Sequence, residues 1–188
     1  MSRAVLESTA RCSGAVVACF ALEELDLPFE HVIRPDGFFL QNHGTPGPVF
    51  RCGDEVAVGF TALLRSLGKQ SSARFWPADH GDAIEGWIAL ALRAARPLFE
   101  VARDEITGEA RAAALETIER EFAIIDERLA RGPYLCGETI TAADWPWVAL
   151  PAAPALSARL PPSYLAYTDR LRARPTWARA QEKRAAPR

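Results

Sequence analysis

Cysteine and histidine are both scarce: four cysteines, at positions 12, 19, 52 and 136, and three histidines in 188 residues. No two cysteines form a CxxC pair, and no histidine lies near a cysteine at zinc-ligand spacing. This excludes a disulfide scaffold and argues against a structural metal. Long apolar runs are missing as well. Even the Trp145 to Leu156 stretch is interrupted by Pro146, Pro151 and Pro154, short of the ~20 residues that span a bilayer, so no membrane association is expected. Near the start, polar residues from Glu7 to Ser13 stand where a secretory leader needs an apolar core, and the expected compartment is the reducing cytoplasm. Nor does one sign of charge dominate, the net being -2. With 49% hydrophobic and 24% charged residues, disorder, collagen and a mini-protein are excluded, and the length allows one large domain or two small ones.

The small total hides an uneven distribution. From Arg159 to Arg188 eight basic residues face Asp169 and Glu182, a net of +6, so residues 1 to 158 carry -8. A phosphate-tracking surface needs clustered cations, whereas these alternate with alanine, proline and tryptophan. The tail therefore reads as a solvated helix face, with no nucleic-acid partner.

Periodicity divides the chain. Arg3 to Glu7 suits a short strand. Val16, Val17, Phe20, Ala21 and Leu25 recur at helical spacing between Ser13 and Leu25, and Phe29 to Arg34 alternates as a strand does. Pro35 to Gly47 is rich in turn residues. Val49 to Cys52 and Glu55 to Val58 flank a Gly53-Asp54 turn and suit a hairpin, followed by a helix from Phe60 to Leu67 closed by Gly68. After that strand signals vanish. Helices are expected over 79–103, with a break or kink at Pro97, then over 108–131, 141–150, 163–172 and 175–183. The domain reading is an α/β unit over 1–68, a linker over 69–78 and an all-helical unit over 79–188.

Two local patterns carry physical content. Thr141-Ala-Ala-Asp144 has the spacing of a capping box, with the Thr141 hydroxyl accepting from the Asp144 amide and the Asp144 carboxylate accepting from the Thr141 amide. That motif is structural, so Asp144 is not a catalytic candidate. Cys12 falls where the first helix begins, beside Arg11. Free helix amides, the helix dipole and the arginine there should lower its pKa toward thiolate. Cys19, Cys52 and Cys136 read as packing residues, and His31, His43 and His80 as surface or loop residues without partners.

The order of these elements, with Ala10-Arg11-Cys12-Ser13-Gly14-Ala15-Val16 at the first turn, Gly47-Pro48-Val49-Phe50 before the hairpin, and Thr139-Ile140-Thr141-Ala142-Ala143-Asp144 in the helical half, resembles the soluble glutathione transferase superfamily over nearly the whole chain. The cysteine-bearing turn is most similar to the bacterial beta class, with some similarity to the zeta class. The resemblance implies a thioredoxin-like α/β domain followed by an all-α domain. It further implies glutathione as co-substrate, a small electrophilic or disulfide second substrate, and a homodimer. It makes Cys12 the candidate nucleophile or thiolate stabiliser and Ser13 its hydrogen-bonding helper. Pro48 is then a candidate cis-proline that lets Gly47 pair its backbone with the cysteinyl part of glutathione.

One departure stands out. Where the family places an acidic residue and a serine for the γ-glutamyl group, this chain has Gly59-Phe60, which leaves the helix start at Gly59, Phe60 and Thr61 as the anion site. Three readings are therefore open. The first is a transferase or thiol-disulfide exchanger, and the second is a non-catalytic binding or dimerisation protein on the same fold. The third is a pathway-specific enzyme with altered thiol use.

Overall fold

The computed structural model describes residues 4–44, 47–70, 73–151 and 154–185. Arg3, the first residue of the expected strand, lies outside them. The chain forms two compact units, 1–77 with 173–188, and 78–172.

The first unit is built on a four-stranded sheet ordered β2-β1-β3-β4. β1 (Ala4–Thr9) pairs in parallel with β2 (Phe29–Arg34), and α1 (Ser13–Glu24) connects them. Two parallel strands need such a crossover, and this segment supplies an apolar helix, buried from Ala15 through Glu24. On the other side β3 (Val49–Cys52) runs antiparallel to β1, with Leu6 opposite Phe50, and β4 (Glu55–Val58) returns as the edge. Gly53, at φ 59°, makes the hairpin turn in a backbone region that other residues enter at a cost. Glu7, buried in the middle strand, is bonded by Arg34 of β2 and by Arg51 of β3, the latter at 3.2 Å. Leu6, Phe20, Leu22, Val49, Phe50, Leu63 and Leu67 form the centre of this core.

Three sequence expectations change here. The 35–47 segment contains a short helix, α2 (Phe38–His43), bracketed by Gly37 and Gly44 in left-handed conformation. Gly68 does not close the next helix: α3 runs Phe60–Gln70, and Gly68 lies inside it. A Cβ on Gly68 would fall 2.2 Å from Trp76 Cε3, so glycine is there for close approach rather than for capping. Finally, the last helix, α8 (Pro175–Ala185), packs on α1 and belongs to the first unit, although the sequence places it in an all-helical unit over 79–188. The division between units at Pro77 and Ala78 falls at the end of the expected 69–78 linker.

The second unit is helical: α4 (Gly81–Ala102), α5 (Gly108–Leu129), a 3-10 segment Trp145–Ala149, α6 (Pro154–Ser157) and α7 (Pro162–Arg172). α4 continues through Pro97, where a break or kink is expected. α4 and α5 pack together; Ile84, Ile88, Ala91 and Leu98 of α4 and Ile118, Phe122 and Ile125 of α5 are buried. Phe122, Trp147 and Tyr164 meet edge to face, with centroids 4.5 Å apart for Phe122 and Tyr164.

Asp144 organises the segment between α5 and α7. Fully buried, it accepts from the Thr141 amide at 2.8 Å, the Thr141 hydroxyl at 3.2 Å, the Leu135 amide at 3.0 Å and the Tyr167 hydroxyl at 2.7 Å. Only half of the expected capping box forms. The carboxylate reaches back to the Thr141 amide, whereas the Thr141 hydroxyl donates to that carboxylate and the Asp144 amide bonds the Thr141 carbonyl. The chain then continues as a 3-10 segment in place of the α-helix expected over 141–150.

Candidate functional site at the start of the first helix

β1, α1, the proline before β3 and the start of α3 meet in one small region. β1 ends at Thr9, whose carbonyl accepts from the Cys12 amide at 3.2 Å. Cys12 is then the extended N-cap of α1 (φ -71°, ψ 108°), and its carbonyl accepts from the Ala15 amide at 3.1 Å. The half-buried sulfur thus sits at a helix start, where it makes no cap hydrogen bond of its own.

Gly14 shows what surrounds that sulfur. A Cβ built there would lie 3.1 Å from Phe60 Cδ2, 3.2 Å from Pro48 Cδ and 3.6 Å from Cys12 Sγ. Phe60, Pro48 and Cys12 therefore converge on one backbone position, and a side chain at Gly14 would press on Phe60 and Pro48. The Gly47-Pro48 bond is cis, and Gly47 takes φ 87°. Gly59, also left-handed at φ 86°, donates its amide to the Pro48 carbonyl at 2.9 Å and accepts from Leu63 at 3.1 Å, which ties the start of α3 to the proline. Phe60 and Thr61 are half-buried in the first turn of α3, while Ser13 is exposed in the first turn of α1. Of the seven residues singled out in the sequence, Cys12, Pro48, Gly59 and Phe60 are linked by these contacts, and Gly47 is joined to them through its cis bond to Pro48. Ser13 and Thr61 belong to the two helix starts that face this region and are placed there by their position in the chain.

The electrostatics correct one expectation. Burial pushes the Cys12 thiol above its ordinary value, against the opposing pull of the Ala15 and Gly14 amides and of the Arg184 guanidinium. A lowered pKa is expected from the helix start and Arg11 alone, but burial penalises the thiolate more than the amides favour it. The cation that acts on this sulfur comes from α8, while Arg11 is exposed. Burial also raises the Cys19 thiol, to about 12, and the half-buried Cys136 thiol.

His31 is a second correction. Half-buried on β2, its Nε2 lies 2.8 Å from Ser8 Oγ and its Nδ1 4.0 Å from Cys19 Sγ. Burial, then the nearby Arg184, lower its pKa, so the ring is held toward the neutral form. Its place in the alternating Phe29 to Arg34 strand is the signal in the sequence that points to these partners. Among the described residues no group of three histidine, cysteine or acidic side chains could hold a metal, and no helix is long and apolar enough to cross a membrane.

The sheet with its helices and cis-proline, joined to a helical unit, defines the class as a thioredoxin-like α/β domain followed by an all-α domain. Comparison with known proteins narrows it. Residues 108–180 match the family model described as glutathione S-transferase, C-terminal domain. Glutathione S-transferase III in its apo form is similar at 22% identity and TM-score 0.77, over 100% of this chain and 99% of that one. The theta class glutathione S-transferase from the citrus canker pathogen Xanthomonas axonopodis pv. citri, with glutathione bound, is similar at 21% identity and TM-score 0.76, over 96% and 97%. The glutathione transferase URE2P8 from Phanerochaete chrysosporium, with oxidized glutathione, is similar at 18% identity and TM-score 0.78, over 98% and 96%. No curated protein sequence matches. Over the whole chain the likeness to these structures is one of fold, and the family model places a glutathione S-transferase C-terminal domain at residues 108–180.

Proposed function

We propose that this chain is a glutathione transferase-like enzyme that moves a thiol onto an electrophile or exchanges it with a disulfide, in the cytoplasm and as a homodimer. Glutathione is its co-substrate. The observation that carries the reading is the convergence on Gly14, where the Cys12 sulfur, at the start of α1, and the ring of a cis-proline both come within 4 Å of the point a Gly14 Cβ would occupy. In exchange, the Cys12 thiolate attacks one sulfur of glutathione disulfide, the S–S bond breaks as a mixed disulfide forms, and the departing glutathione thiolate takes a proton from water. In transfer to an electrophile, the Gly14 and Ala15 amides and a Ser13 hydroxyl stabilise the attacking sulfur. Gly47 offers backbone pairing to the tripeptide, and Gly59 to Thr61 offer helix-start amides to its carboxylate. Apolar walls exclude water and keep the thiol protonated until a ligand or a base draws the proton off.

A second reading, a non-catalytic binding or dimerisation protein, is favoured by Phe60, which packs close to Gly14 at the helix start, and by the raised thiol. Calorimetry with glutathione separates the two. Millimolar binding by the wild type and by Cys12→Ala, with thiol exchange lost only in the variant, supports the enzyme; no binding at millimolar glutathione removes it. Light scattering tests the dimer, and a particle of one chain's mass, 20.6 kDa, rejects it.

A further inference from the structure

α8 is fastened to α1 along most of its length. Arg174 sends Nε and Nη2 to the two carboxylate oxygens of Glu24, each at 2.7 Å, and Thr176 bonds the same carboxylate. One turn on, Trp177 meets Phe20 edge to face at 5.9 Å. Arg179 then reaches Glu23 at 2.6 Å, and Lys183 reaches the other oxygen of Glu23 at 2.5 Å while lying 4.3 Å from the Phe29 ring. Glu23 and Glu24 are both buried, so these partners are required by the cost of buried charge and not decorative. The clamp fixes where the last turn of α8 points. Arg184 comes next, and its Nη2 donates to the carbonyl of Ala10 at 3.3 Å, in the turn that joins β1 to Cys12.

We propose that Arg184 is a positioning residue for the reactive thiol: it pins the turn that carries Cys12 and holds a positive charge at that turn, delivered there by the clamp between α8 and α1. The proposal rests on Cys12 being the reacting group. Among the described residues, the other groups around the sulfur give no competing charge. The Gly14 and Ala15 amides come from α1 itself, Pro48 and Phe60 are apolar, and Arg11 and Ser13 are exposed. Cys19, deeper in α1, and His31, on β2, are held neutral by burial; Glu23 is neutralised by Arg179 and Lys183. The direction of Arg184's effect on Cys12, toward the thiolate, agrees with this geometry.

The test is the pH dependence of Cys12 alkylation by iodoacetamide in the full chain, read by mass spectrometry of the Cys12 peptide. Arg184→Gln should raise the alkylation midpoint by about half a pH unit, the scale for one cation at a partly exposed site. Arg184→Lys, which keeps the charge, should restore most of it, and added salt should shrink the difference. An unchanged midpoint in Arg184→Gln overturns the proposal, and a lower melting temperature without a midpoint change would assign Arg184 a merely structural role and overturn it equally. The measurement needs no turnover. If Cys12→Ala keeps full thiol exchange, the enzymatic reading of Cys12 fails, while the alkylation midpoint still decides what Arg184 does to that sulfur.

Discussion

Asp144→Ala is the substitution for which the structure gives the sharpest energetic expectation. The carboxylate is fully buried and accepts four hydrogen bonds, two from backbone amides that have no way to turn elsewhere. Removing the acceptor leaves the Leu135 and Thr141 amides buried and unpaired, at about 1–3 kcal/mol each. The Thr141 and Tyr167 hydroxyls can rotate and lose less. Against this stands the cost of burying the carboxyl, which pushes its pKa up and which alanine relieves. The net expectation is a loss of about 3–5 kcal/mol. Asp144→Asn keeps one oxygen for Leu135 and Tyr167 but sets an amide NH2 against the Thr141 amide, so about half the loss is expected. Urea unfolding of the three proteins measures both. A loss below about 1 kcal/mol in Asp144→Ala, or an asparagine variant less stable than the alanine one, would refute the view of Asp144 as the hub of this segment.

Two further substitutions probe the first unit. Burial alone would raise the Glu23 carboxyl, but hydrogen bonds from Lys183 and Arg179 outweigh it and leave the pKa below the ordinary 4.5. A carboxyl lowered by folding stabilises the fold above that value and loses its contribution as pH falls through the folded pKa. The stability gap between wild type and Glu23→Gln, from urea unfolding, should therefore be full at pH 7 and close below about pH 4.5; a gap that does not change with pH contradicts the pairing. Gly68→Ala places a methyl within 2.2 Å of Trp76 Cε3, and it should cost about 1–3 kcal/mol and shift tryptophan emission, whereas an unchanged melting temperature would show that the approach is relaxed at no cost.

Short stretches of the sequence are legible where they decide their own conformation. The β1-α1-β2 unit and the hairpin arise from alternation, helical spacing and a glycine turn, and they form as expected. α2 is hidden because six residues with only Phe39 buried carry almost no periodic signal; its boundaries are set by Gly37 and Gly44, which read equally well as loop residues. Gly68 looks like a cap because it stands near the end of a helical pattern, and the tryptophan ring that requires a glycine there lies eight residues further on. At the site, Cys12 and Pro48 are visible in their local motifs. The sign of the Cys12 shift is not, since it depends on how deeply the fold buries the sulfur.

The basic tail is the case where a plausible local reading fails for a physical reason that the sequence itself contains. Arginines spaced among alanines suit a solvated face if the helix is considered alone. Yet α1 is apolar up to Glu23 and Glu24, and a helix buried on nearly every side has no room to turn two consecutive carboxylates to water. Buried carboxylates need cations, and a tail of +6 beside a body of net -8 is the largest supply of them in the chain. Arg174, Arg179 and Lys183 meet that need, and in doing so they set the course of α8. Arg184, the tail cation that bonds the Cys12 turn, is then left at the candidate site as a consequence of where its neighbours had to go.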